Sequence, residues 1–140
     1  MSEAAVVRFA FIVAGLLLIG LSIPMLQRRI APNPVYGLRI RATFADEWVW
    51  YEANARAAKH LFILGLVILI LAIGLPLVPG LRADDHSAII AIVMPISTIL
   101  ICVVAIRYAN RLLAERIASG VELQPRSPLT RGVFKSLRRR

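Results

Sequence analysis

The sequence is poor in the side chains from which soluble active sites are made. It holds one cysteine and two histidines in 140 residues, and its 8 acidic side chains face 17 basic ones. Cys102 alone excludes an intramolecular disulfide and a cysteine-built metal cluster. Asp84-Asp85-His86 brings three ligand-type residues together, but adjacent positions do not converge on one ion, so helix capping with Ser87 beside them is the reading and no metal is expected. No nucleophile–base pair and no phosphate-binding loop is present, so no catalytic residue, no cofactor and no enzyme activity are expected. Charge is missing from three long stretches, Phe9 to Gln27, Leu61 to Leu81 and Ser87 to Ile106, of 19, 21 and 20 residues.

What is present is apolar. The chain is 59% hydrophobic and 18% charged with a net charge of +9, and its mean hydropathy is +0.73. A soluble domain needs polar residues to cover its surface, and a disordered basic chain lacks so much Leu, Ile, Val and Ala. An uncharged helix of about 20 residues crosses a bilayer core at about 1.5 Å per residue. The expected fold class is therefore all-α, an integral membrane protein with three transmembrane helices. Pro79-Gly80 breaks the chain between the second and third spans, which form a tight hairpin. The first span reads as a retained anchor, because a small-x-small cleavage pattern is missing after Leu21 and Gln27-Arg28-Arg29 follows at once.

Basic residues set the orientation. Arg28 to His60 carries six Lys and Arg and Arg107 to Arg140 carries nine, against one each at the N-terminus and in the second loop. The positive-inside rule puts the first loop and the tail in the cytoplasm and the N-terminus outside the cell membrane. Topology and anionic lipid thus account for the basic excess, and no nucleic-acid partner is expected. The absence of charge within the spans argues against a pump built from one chain. The division is one membrane domain over 1–120, with its motif loop at 28–60, and a polybasic tail over 121–140.

The first loop is too structured for a linker. Pro32 and Pro34 force an extended path, Tyr36-Gly37 supplies a turn, and Thr43, three before Asp46, has capping potential. From Ala45 or Asp46 nothing breaks a helix, which is expected to run through Lys59-His60 into the second span, with Glu52 and Arg56 at i,i+4. Glu47, Trp50, Asn54, Ala57 and Leu61 share one face of it, while Trp48 and Tyr51 lie on a neighbouring face as interfacial anchors. Trp50 and Asn54 serve either ordinary interfacial packing or the fixing of the preceding loop, since an Asn near membrane depth wants hydrogen-bond partners. Arg39 is expected to bond a helix-start carboxylate or a loop carbonyl beneath a Trp50 cover, in a supporting role or in direct ligand contact.

The stretch Asn33-Pro34-Val35-Tyr36-Gly37-Leu38-Arg39, then Ala42-Thr43-Phe44, then Trp50 and Asn54 before Leu61-Phe62, resembles the signature of the SdpI family of membrane proteins. Ile40 stands where that signature has a Thr after the Arg, and Ala57 or Ala58 replaces a Gly common after the Asn. The resemblance implies a bacterial immunity or binding protein that intercepts a membrane-active peptide toxin, with coupling to a cytosolic regulator in some systems. It marks Asn33, Tyr36, Gly37, Arg39, Thr43, Trp50 and Asn54, joined by Glu47 on the helix face of Trp50 and Asn54, as the ligand-contacting or loop-organising set. The alternatives are a small transport or permeability component working as a homo-oligomer, and an accessory subunit of a larger membrane complex.

Elsewhere the expectations are structural. Pro95, with Ser97 and Thr98 nearby, kinks the third span or opens a ligand-lined break, and Ala10, Ala14 and Gly15 form a small-residue face on the first. His60 is a solvated interfacial histidine. The third helix continues through Arg107, Arg111 and Arg116 to a stop at Gly120. Beyond Pro125 and Pro128, Arg131, Lys135, Arg138, Arg139 and Arg140 are expected to lie on an anionic membrane surface, each worth about 1 kcal/mol.

Overall fold

A computed structural model describes residues 3–124. Its elements are α1 (Glu3–Leu26), α2 (Arg41–Ala45), α3 (Glu47–Gly74), a 3-10 turn at Leu75–Leu77 and α4 (Ala83–Ala118). Among the described residues there is no strand. Three helices are long and apolar enough to cross a membrane: Glu3–Leu26, Glu47–Leu77 with the 3-10 turn, and Ala83–Ala118. Each begins before the uncharged run that announces it, because helical hydrogen bonding continues past the hydrocarbon boundary. The basic residues expected on the tail, Arg131, Lys135, Arg138, Arg139 and Arg140, lie outside the described residues.

The described residues divide into two compact units, 3–23 with 58–101 and 24–57 with 102–124. In the first, Leu64, Ile68 and Ala72 of α3 and Ile90 of α4 form a buried core, flanked by Phe11, Ile12 and Leu18 of α1. Large apolar side chains such as Phe9, Ile70 and Ile99 point outward, the inverse of a soluble bundle. Close packing of α1 on α3 rests on glycine. A Cβ on Gly15 would stand 3.0 Å from the Gly65 carbonyl oxygen, and one on Gly65 would stand 2.8 Å from that of Gly15. Gly15 belongs to the small-residue face read from the sequence, whereas its partner Gly65 was not anticipated there.

Proline acts as the chemistry of its ring requires. Pro76 falls in the 3-10 turn that ends α3, so helical structure stops at Leu77, short of the Leu81 limit of the uncharged run. Pro95 lies inside α4, which continues through it, and the Thr98 hydroxyl donates to the Met94 carbonyl at 2.8 Å. At the start of α4 the Asp85 carboxylate accepts the Arg82 N–H at 3.1 Å, the capping role expected of the acidic pair.

The second unit holds the motif loop, the first turns of α3 and the far part of α4. Ala42, Ala53 and Ala109 form its small core with Leu38, Ile40 and Leu113 against them. α1 ends with Arg28 in the left-handed region at φ 52°. The Arg28 and Arg29 N–H groups return to the Met25 and Pro24 carbonyls, each at 3.0 Å, a Schellman arrangement on a residue other than glycine. The Arg28 guanidinium bonds Glu52 at 2.7 Å. α4 stops as expected, with Gly120 at φ +70° beyond its last turn.

Candidate functional site: the motif loop

Asn33 builds the first bend. Its Oδ1 accepts the N–H groups of Val35 at 2.9 Å and Tyr36 at 2.7 Å, while its Nδ2 donates to the Ala31 carbonyl at 2.8 Å. An Asn side chain imitates a turn of backbone in this way, and Pro34 supplies the fixed φ. Gly37 reverses the chain at φ +105°. Asn54, 3% exposed on α3, then takes hold: its Oδ1 accepts the Leu38 N–H at 2.5 Å and its Nδ2 donates to the Trp50 carbonyl at 2.9 Å. Both ends of the amide are engaged, so its orientation is fixed by chemistry. Of the two readings open for Asn54, loop fixing is the geometry found.

Thr43 and Asp46 govern the next step. The Thr43 hydroxyl donates to the Leu38 carbonyl at 2.7 Å and accepts the Ile40 N–H at 3.1 Å, closing the first turn of α2 from within. Its expected part in capping the longer helix falls to Asp46, which is extended between α2 and α3. Asp46 Oδ1 accepts the Val49 N–H at 3.1 Å, the N-cap bond of α3. Its Oδ2 accepts the Gln124 N–H at 3.2 Å and lies 3.6 Å from the Arg116 guanidinium. The Glu47 N–H donates to the Gln124 carbonyl at 3.2 Å, so the segment after α4 is pinned by both of its polar groups. Asp46 is 1% exposed, and the Val49 N–H, the Gln124 N–H and the Arg116 guanidinium supply the partners that a buried polar group needs.

The aromatic residues divide differently from the expectation. Trp50, 1% exposed, donates its indole N–H to the Ile30 carbonyl at 2.8 Å and packs against Phe44 with ring centroids 5.4 Å apart. Arg39 is exposed and donates to the Pro34 carbonyl, so the loop carbonyl is its partner and the Trp50 cover is absent. Cation–aromatic stacking occurs elsewhere, with Arg56 over Tyr108 at 4.2 Å and Arg116 over Trp48 at 5.1 Å. Tyr36 carries an enclosed hydroxyl without a hydrogen-bond partner among the described residues, and burial pushes its pKa up from 10.0. Val35, at the loop tip, is 81% exposed.

All eight motif residues named from the sequence therefore fall in the second unit, within the loop, α2 and the first eight residues of α3. Asn33, Gly37, Thr43, Trp50 and Asn54 organise the loop, Glu47 holds Gln124 through its backbone, and Arg39 stands at the surface. Among the described residues no group of three His, Cys, Asp or Glu is placed to hold a metal ion. A model of the SdpI/YfhL protein family matches residues 29–109, which take in the whole loop, α2, α3 and most of α4. The chain belongs to the SdpI/YfhL family. With three apolar helices it is a multi-pass membrane protein. No curated protein and no solved structure matches it. The region shared with the SdpI/YfhL family contains Asp46 but ends before its partners Arg116 and Gln124.

Proposed function

We propose that this SdpI/YfhL protein is a binding protein of the immunity type, which engages a membrane-active peptide and presents the motif loop to the cytoplasm as its signalling face. The observation that supports this is the division of labour in the loop. Asn33, Thr43, Trp50 and Asn54 use their polar groups inward, on backbone, while Val35 and Arg39 stand outward on a frame that is already fixed. Preorganisation of that kind lowers the entropy lost when a partner docks. The positive-inside bias supports placing this face in the cytoplasm and the N-terminus outside. A binding role rather than catalysis or transport also accords with the buried polar residues, Ser22, Thr43, Asp46 and Asn54, each of which has an internal hydrogen bond.

The test is survival of sensitive bacteria co-cultured with a producer of a secreted membrane-active peptide. Cells expressing the protein should survive, and Arg39→Ala and Asn54→Ala should abolish protection at unchanged membrane abundance. Full protection from both variants would remove the loop from the function. A second readout, capture of a cytosolic regulator by the wild-type protein and not by Arg39→Ala, separates signalling from passive interception.

A further inference from the structure

The first unit contains a cavity of about 260 Å³, walled by the start of α1, the end of α3 and the start of α4. Its polar side is Arg8, His86 and Ser87, and its apolar side includes Phe11, Pro76 and Ile90. Arg8 forms no ion pair among the described residues, although Asp84 and Asp85 begin the same helix as His86. Asp85 is occupied with the Arg82 N–H, and both acids are exposed. His86 Nε2 is enclosed and has no hydrogen-bond partner among the described residues. A buried polar atom without a partner calls for a group that completes it.

We propose that this cavity is a phospholipid headgroup site, in which a phosphodiester pairs with Arg8 and His86 while the glycerol and first acyl carbons lie along Phe11, Pro76 and Ile90. Three features select a lipid. Arg8 immediately precedes the uncharged run that begins at Phe9, so its guanidinium stands at the level of lipid phosphates. Phe11 lies one turn along α1 from Arg8, which places an apolar wall where a lipid continues and a free anion does not. The volume is below the range of about 300–1,000 Å³ that receives drug-sized ligands, which fits a headgroup. The cation–phosphate pairing is charge-assisted and works at a boundary where water competes less than in solution. The site is separate from the motif loop and does not depend on the binding role proposed above.

Native mass spectrometry of the full chain in mild detergent tests it, with phosphatidylglycerol added as the probe. One phosphatidylglycerol should be retained more tightly than the rest. Arg8→Gln should weaken that retention by about tenfold or more, as expected for a lost charge-assisted hydrogen bond. Arg82→Gln, which removes the other basic residue of this end without touching the cavity wall, should leave it unchanged. Ala4→Trp narrows the cavity while keeping both partners of the phosphate, and should also release the lipid. Equal loss in Arg8→Gln and Arg82→Gln would reduce the effect to general surface charge and overturn the site. Retention by Ala4→Trp at the wild-type level would overturn it as well. Displacement of the tight lipid by an equal concentration of inorganic phosphate would assign the site to a free anion and refute the lipid reading.

Discussion

Gly37 offers the sharpest test of how the loop is held. At φ +105° an alanine is strained by about 1–3 kcal/mol, whatever space surrounds it. The added Cβ would also stand 2.6 Å from Asn54 Oδ1 and 3.2 Å from the Met25 methyl. The amide oxygen must move, which strands the Leu38 N–H that it accepts at 2.5 Å, at a further cost of about 1–3 kcal/mol. Gly37→Ala should therefore lose about 2–6 kcal/mol, or about 8–24 °C of apparent melting temperature at about 4 °C per kcal/mol. Gly74→Ala is the control: its backbone is already helical and nothing lies within 4 Å of a new Cβ, so it should gain about 0.5–1 kcal/mol. The assay is thermal unfolding of the purified chains in one detergent, with Asn54→Ala and the double variant completing a cycle. Removing Asn54 removes the collision, so Gly37→Ala should cost about 1–3 kcal/mol less in that background. Equal melting of the two glycine variants, or strict additivity of Gly37→Ala with Asn54→Ala, would refute the proposed contact.

Asp46→Ala should destabilise the chain by about 2–4 kcal/mol through loss of the α3 cap and of the Gln124 bond, and amide exchange at Val49 and Gln124 should quicken together. Burial raises the Tyr36 pKa above 10.0, so the folded chain keeps a proton that the unfolded chain releases. The stabilising contribution is complete below pH 10 and is lost as pH rises through 10 toward the raised value; melting curves from about pH 9 to 11 should show the fall in wild type and a smaller one in Tyr36→Phe. The same variant removes an enclosed hydroxyl that lacks a partner and should gain about 1 kcal/mol at neutral pH. With 15 of the 17 basic residues assigned to the cytoplasm, a cysteine label at Asp84 in a Cys102→Ser background should react from outside intact cells and one at Arg140 should not. Reversed labelling would invert the topology.

The three long helices were legible because length and absence of charge are properties of a contiguous run. The stop at Gly120 was legible because a left-handed terminus favours glycine. α2 was not foreseen. Nothing between Arg41 and Glu47 breaks a helix by composition, and the interruption arises because Asp46 leaves helical geometry to cap α3. Loop fixing by Asn54 was one of two alternatives left open by its residue type, and the contact with Leu38 decides the geometry. Sequence spacing placed Trp50 near Arg39 but carried no information about the Ile30 carbonyl, 20 positions away, which takes its indole N–H. Likewise no local pattern links Asp46 to Gln124 across 78 positions. Contacts of that separation leave no periodic trace, so the frame of the loop was readable and its remote fastening was not.

That fastening has a consequence for biogenesis. A ribosome delivers the chain from its N-terminal end, so the motif loop and the first turn of α3 are synthesised long before the Gln124 N–H that completes the Asp46 carboxylate. During that interval Asp46 has its cap bond to Val49 but neither the Gln124 bond nor the Arg116 cation. A nascent or prematurely terminated product can insert its first two apolar helices and still carry an unfinished loop. Only chains translated through residue 124 therefore acquire the finished Asp46 junction.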